Sequence, residues 1–178
     1  MKTIDRIILI DADVVSHFIY AEELPALPSI FKNKIFILDK VYAELQRFPK
    51  RRVEIDNIVN SNLLEIMLFP EDNDVIKKEY AYLKKFLLKG DGESACMAVA
   101  RYTDNILASS NLKDIAEYCR MHRVDYLTTM DFLYEAFRTG LFTLERCNAF
   151  IFKVKASGSK LPVNHIEDYR NRDIGFMY

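Results

Sequence analysis

Tryptophan is missing from the 178-residue chain, and glycine, proline, cysteine and histidine are scarce, at five, five, three and three residues. So little glycine and proline excludes a collagen-like or low-complexity chain. Cys96, Cys119 and Cys147 are odd in number, far apart and without a C-x-x-C pair. That spacing argues against a disulfide framework and a zinc site, so buried thiols in a reducing compartment are expected. His17, His122 and His165 match neither a triad nor a metal spacing, which assigns them surface or packing roles. An excess of one charge is also lacking, with 25 basic against 26 acidic residues and a net charge of −1. Any nucleic-acid contact must therefore come from local patches. No apolar run approaches the ~20 residues of a membrane span, and no basic start leads into a long apolar stretch. A soluble, cytoplasmic protein is the expectation, with no membrane contact.

Half of the residues are hydrophobic, enough for one substantial core, and the length favours a single domain over residues 1–178. Short apolar runs alternate with helical patterns. R-I-I-L-I at 6–10, I-F-I-L at 35–38, the run at 63–69, N-I-L-A at 105–108 and the segment 124–127 read as strands. Helices are expected over 14–20, 41–48 (stopped by Pro49), 50–58, 72–88, 93–102, 128–140 and 143–152. A Ser109-Ser110-Asn111 capping cluster opens a further helix to about His122. Pro25 and Pro28 mark a loop, and K-G-D-G at 89–92 interrupts the helical pattern. Alternating strands and helices predict an α/β fold, a three-layer α/β/α sandwich around a parallel sheet of about five strands. A helical extension and tail begin at about residue 141, with the polar tail from Pro162 expected to be extended or mobile.

In open parallel sheets, ligands bind beyond the carboxyl ends of the strands. Asp11 directly follows the first strand and Asp13 lies two residues on. Glu44 lies on the helix after the second strand, Glu93 opens the helix before the fourth, and Asn111 and Asp114 follow the fourth. Carboxylates gathered at one sheet edge repel unless protons or a cation offset them, and Mg²⁺ and Mn²⁺ prefer such hard oxygen ligands. Ordinary roles stay open as well. Asp11 and Asp39 suit helix caps, Asp91 and Glu93 suit a helix N-terminus, and Glu44 and Asp114 suit solvated faces. Asp131 in T-T-M-D-F reads as a cap.

Four segments carry a more specific pattern: I-L-I-D-A-D-V-V at 8–15, V-Y-A-E-L at 41–45, G-D-G-E-S-A-C-M-A-V-A at 90–100 and I-L-A-S-S-N-L-K-D-I at 106–115. In order and spacing they resemble the motifs of the PIN-domain family, over about residues 4 to 140. The resemblance implies a metal-dependent endoribonuclease using Mg²⁺ or Mn²⁺, with Asp11 as the central ligand. Glu44, Glu93 and Asp114 would be the further catalytic and metal-binding acids, supported by Asp13, Asp91, Ser109 and Asn111. Asn111 stands where the family usually has its last acid, and Asp114 falls about one turn later. RNA contacts are expected from Arg51 and Arg52, in the basic run R-F-P-K-R-R at 47–52, and from Lys113. The family includes the toxin nucleases of toxin–antitoxin pairs, so an antitoxin or other protein partner and a homodimer are further implications. A catalytically weakened binding or scaffold protein on the same fold is the alternative. The D-A-D after the first strand also resembles the haloacid-dehalogenase motif, but its continuation here is V-V-S-H, without the residues those enzymes need.

Overall fold

A computed structural model describes residues 6–87 and 90–178. Five strands, β1 (Ile8–Ile10), β2 (Ile35–Leu38), β3 (Glu65–Met67), β4 (Ile106–Ala108) and β5 (Tyr126–Leu127), form one sheet in the order β3-β2-β1-β4-β5. All neighbours run parallel, with Ile8 paired to Ile35 on one side and to Ile106 on the other. Every residue of β1 and β4 is buried. Central strands covered on both faces need apolar side chains at every position, which is why they read as unbroken Ile, Leu and Ala runs.

Eight helices connect and flank these strands: α1 (Ala12–Tyr20), α2 (Asp39–Leu45), α3 (Pro49–Asn60), α4 (Asp74–Phe86), α5 (Asp91–Thr103), α6 (Leu112–His122), α7 (Thr129–Arg138) and α8 (Leu144–Ala156). The strand order runs from β1 through β2 to β3 on one side and from β4 to β5 on the other. Connections that keep the usual right-handed sense place their helices on opposite faces of such a sheet. The result is a three-layer α/β/α sandwich. Helix α5 packs against α2 and α4 and touches β1, β2 and β4. Its small residues permit that approach: Ala95, Cys96 and Ala98 are fully buried, and the Cys96 thiol lies 3.9 Å from the Ile10 carbonyl oxygen. Helix α8 packs against α1 and α7. All three cysteines are buried free thiols.

Several boundaries differ from the sequence reading. Helix α1 begins at Ala12, so Asp11 is its N-cap rather than a residue before a short loop. Helix α2 ends at Leu45, and Pro49 opens α3 instead of stopping α2, because a first-turn proline has no lost hydrogen bond to replace. Pro25 and Pro28 lie in a 3-10 helix, Leu24–Ser29, rather than a loop. Strand β3 is confined to three residues, two of them exposed, as befits the sheet edge. Helix α5 already starts at Asp91, while the expected end of the preceding helix at Leu88, and Lys89, lie outside the described residues. Asp131 does cap α7, through a capping box with Thr128.

The tail is folded back onto the molecule rather than extended. It forms 3-10 turns at Ile166–Asp168 and Gly175–Met177 and buries Ile166. Arg172 Nε donates to Asp131 Oδ2 at 3.0 Å, and the Tyr178 hydroxyl donates to Glu135 Oε2 at 2.7 Å. Among the described residues no helix is long and apolar enough to cross a membrane.

Candidate functional site

Strands β1 and β4 are neighbours, yet the chain leaves them in opposite directions, β1 towards β2 and β4 towards β5. The crevice at their carboxyl ends is the topological switch point, where an open parallel sheet has room for a ligand. Two short loops meet there. The Asp11 backbone N–H donates to the Ala108 carbonyl at 2.9 Å, which extends the β1–β4 pairing by one residue and delivers the Asp11 side chain to the crevice. Although Asp11 is the N-cap of α1, its carboxylate makes no capping hydrogen bond. Asp13 ties the two loops together. Its Oδ2 accepts from the Ser110 backbone N–H at 2.7 Å and from the Ser109 hydroxyl at 3.4 Å. Ser109 is fully buried and accepts in turn from the Asn111 N–H at 3.3 Å.

The other two acids arrive on helices. Glu44, near the end of α2, accepts at Oε1 from the Gly92 N–H at 3.0 Å, in the first turn of α5. A carboxylate there complements the unpaired amides and the dipole of a helix N-terminus. Glu93 follows on α5, 8% exposed. Asp11, Asp13, Glu44, Glu93 and Asn111 thus line one pocket of about 380 Å³, together with Ala12, Ser16, His17, Tyr20, Arg51, Gly90 and Ser159.

The electrostatics follow from this crowding. Burial, followed by the charges of Asp13 and Glu93, holds the Asp11 carboxyl well above the usual carboxylate range. Burial also raises Asp13, against the hydrogen bonds it accepts from the Ser110 and Val14 amides. Glu93 is pushed up to about 7 by burial first, then by Asp13 and Asp114. Asp11 Oδ1 and Glu93 Oε1 are buried and have no hydrogen-bond partner. A buried carboxylate oxygen without a donor is costly, and proteins rarely leave one so.

A hard divalent cation fits these residues. It would satisfy the two orphaned oxygens and neutralise the repulsion, and Mg²⁺ in particular needs only one or two carboxylates besides its waters. The carboxylates do not close into a finished ligand set. Among the described residues no group of three His, Cys, Asp or Glu side chains is arranged to hold an ion.

Of the remaining sequence-predicted residues, Asp114, Asp91, Arg52 and Lys113 lie outside the pocket. Asp114 is exposed on the first turn of α6, where its Oδ2 accepts from Asn111 Nδ2 at 2.8 Å. It reaches the pocket only through Asn111 and through its charge on Glu93. Asp91 accepts from the Tyr80 hydroxyl at 3.1 Å and is ion-paired with Lys84, which secures the junction of α4 and α5. Arg52 points to Asp56 at 4.0 Å, and Lys113 is exposed. Arg51 does line the pocket, its guanidinium 3.9 Å from the centre of the Phe48 ring and 3.3 Å from the Ser16 hydroxyl.

Pocket residues that the sequence did not mark as a site include Ser16, His17, Tyr20 and Ser159. His17 is buried at the pocket wall, which fits the packing rather than the surface alternative. Three of them lie on α1. A signal for them existed, since Asp13, Ser16, His17 and Tyr20 are spaced three, four and seven apart, one face of a helix. No protein-family model matches the chain, and no curated protein matches it.

Proposed function

We propose that this chain is a metal-dependent endoribonuclease of the PIN type, acting in the cytoplasm on RNA phosphodiesters. The observation that carries the reading is the pair of buried, unpartnered carboxylate oxygens, Asp11 Oδ1 and Glu93 Oε1, within one acid-lined pocket at the switch point of a parallel sheet. Mg²⁺ or Mn²⁺, when bound, lowers the pKa of water and offsets charge on a phosphodiester oxygen. Asp11 and Glu93 would hold the ion. Asp13 fixes the β1 and β4 loops relative to each other, and Glu44 fixes α5. Asn111 presents a neutral amide where a fifth carboxylate would add repulsion, and its side chain donates to Asp114 on the first turn of α6. Arg51 brings positive charge to the same pocket, which a phosphate strand needs on its approach to four acids. The motif resemblance also suggests an antitoxin-like protein partner and a homodimer.

A second reading, a catalytically weakened binding or scaffold protein, is favoured by Asn111 lining the pocket while Asp114 stands exposed. Titration calorimetry with Mn²⁺, paired with cleavage of single-stranded RNA, separates the two. The nuclease reading expects Mn²⁺ binding and Mn²⁺-dependent cleavage in the wild type, and loss of both in Asp11→Asn. A wild type that binds no divalent ion supports the scaffold, and unchanged cleavage by Asp11→Asn rejects the assignment of Asp11.

A further inference from the structure

Part of the pocket lining is not acidic. His17, Ser16, Tyr20 and Arg51 belong to that part, from α1 and α3. His17 is 93% buried, being 7% exposed, and its Nδ1 lies 2.7 Å from Thr129 Oγ1. Thr129 is fully buried, and its hydroxyl lies 2.8 Å from that of Ser110. The Thr129 backbone N–H also donates to Ser110 Oγ, at 2.8 Å. Ser110 is the residue whose amide holds Asp13. A hydroxyl relay therefore runs from the β4 loop through the start of α7 to the imidazole.

The direction of this relay decides what His17 offers the pocket. Each hydroxyl carries one proton. Both are used within the relay if Ser110 donates to Thr129 and Thr129 donates to His17 Nδ1. The reverse direction leaves the Ser110 proton without an acceptor among the described residues. With Nδ1 accepting, a neutral imidazole carries its hydrogen on Nε2. Burial keeps the ring neutral, pushing its pKa down to about 4. The one hydrogen bond of the ring among the described residues is at Nδ1, which leaves Nε2 without a protein partner, and His17 lines the pocket. Arg51, lining the same pocket, makes no ion pair among the described residues, although the pocket holds four carboxylates.

We infer that His17 and Arg51 form an anion subsite for a phosphate of a single nucleic-acid strand, with His17 donating from Nε2 and Arg51 supplying the charge. The inference rests on the nuclease reading for its substrate class, but the subsite can be tested apart from the metal. A neutral donor and a guanidinium lining the same pocket as the four carboxylates would seat a phosphate beside the acids. Tyr20 lines the same pocket and gives a base a ring to lie against.

The test measures binding of a fluorescent single-stranded hexa-adenylate with Ca²⁺ replacing Mg²⁺ or Mn²⁺, the strand being checked for integrity afterwards. His17→Phe and Arg51→Ala should each weaken binding at least about ten-fold, the scale of one hydrogen bond to a charged group. His17→Gln keeps a donor near the Nε2 position and should recover most of the loss. Long-range ¹H–¹⁵N spectra of the wild type should show the Nε2–H tautomer of His17. Unchanged affinity in both loss variants, or a proton resident on Nδ1, overturns the subsite. Inorganic phosphate binding as tightly as the oligonucleotide overturns the strand as its ligand. Mn²⁺ calorimetry on the same samples reports separately on the metal reading. A wild type that binds the strand through His17 but takes up no Mn²⁺ sinks the metal while the subsite stands.

Discussion

Gly92 carries the tightest steric demand at the site. A Cβ there would fall 2.9 Å from Val41 Cγ2, 3.0 Å from Glu44 Oε2 and 3.2 Å from the Val41 Cα. Val41 is fully buried, so it has nowhere to retreat. Helix propensity alone favours Gly92→Ala by about 1 kcal/mol, but overpacking costs about 1–3 kcal/mol, and the clash wins where backbone is involved. Gly92→Ala should therefore lower the urea midpoint and, by displacing the Glu44 carboxylate, weaken Mn²⁺ binding. An unchanged midpoint would show that α5 can shift away from α2. At this scale the sequence was partly legible. Asp11 and Glu93 are legible because each sits beside a strand end or a helix start that hydrophobic patterning reveals, and Glu44 because it lies on the helix that follows β2. The spacing of His17 from Asp13 puts the two on one face of α1, but its contact with Thr129, 112 positions away, is encoded by no local spacing. The outward place of Asp114 was legible as the solvated-face alternative. It follows from Asn111 being the N-cap of α6, with Asp114 on the exposed first turn beyond it.

Helix α7 shows the same limit one level up. Its capping box is readable in T-T-M-D, since a Thr three residues before an Asp satisfies two free amides reciprocally. The clamp outside it is not readable. Asp131, its side chain 2% exposed, accepts from Thr128 N–H at 2.7 Å and also from the Tyr169 hydroxyl and Arg172 in the tail. A polar segment without periodicity gives no sequence sign that it will fold back, because its order comes from partners on another element. Arg172→Ala removes the one cation on a nearly buried carboxylate. With the neutral donors left in place, the cost should be about 2 kcal/mol. The expected outcome is a lower unfolding midpoint with faster amide exchange at the start of α7, and Arg172→Lys should recover part of the loss. Unaltered exchange there would mean that the box holds α7 without the tail. The edge strand β3 obeys the complementary rule. An apolar run at 63–69 suggested a long strand, but with a neighbour on one side only, three residues pair.

For the molecule as a whole, the buried acids and the buried histidine pull stability in opposite directions with pH. Asp11 and Glu93 hold protons more tightly when folded than when unfolded, Glu93 up to about 7. Their contribution is present in full below the ordinary carboxylate range and is lost as pH rises through the folded values. His17, lowered to about 4 from 6.5, behaves inversely: its contribution is present above pH 6.5 and is lost as pH falls towards 4. Two raised carboxyls outweigh one lowered imidazole where their ranges overlap, so without divalent ions thermal stability should fall as pH rises from about 4.5 towards 7. A cation binding at Asp11 and Glu93 competes with their protons, so its stabilising effect must grow as those protons leave. The rise in melting temperature caused by Mn²⁺ should be small at pH 5 and should increase through about pH 7. Asp11→Asn removes the most strongly raised carboxyl, so it should flatten the alkaline fall of the metal-free protein as well as abolish the Mn²⁺ effect. Differential scanning calorimetry at fixed Mn²⁺ over this pH range tests both halves at once. A Mn²⁺ effect independent of pH would place the ion somewhere other than among these acids.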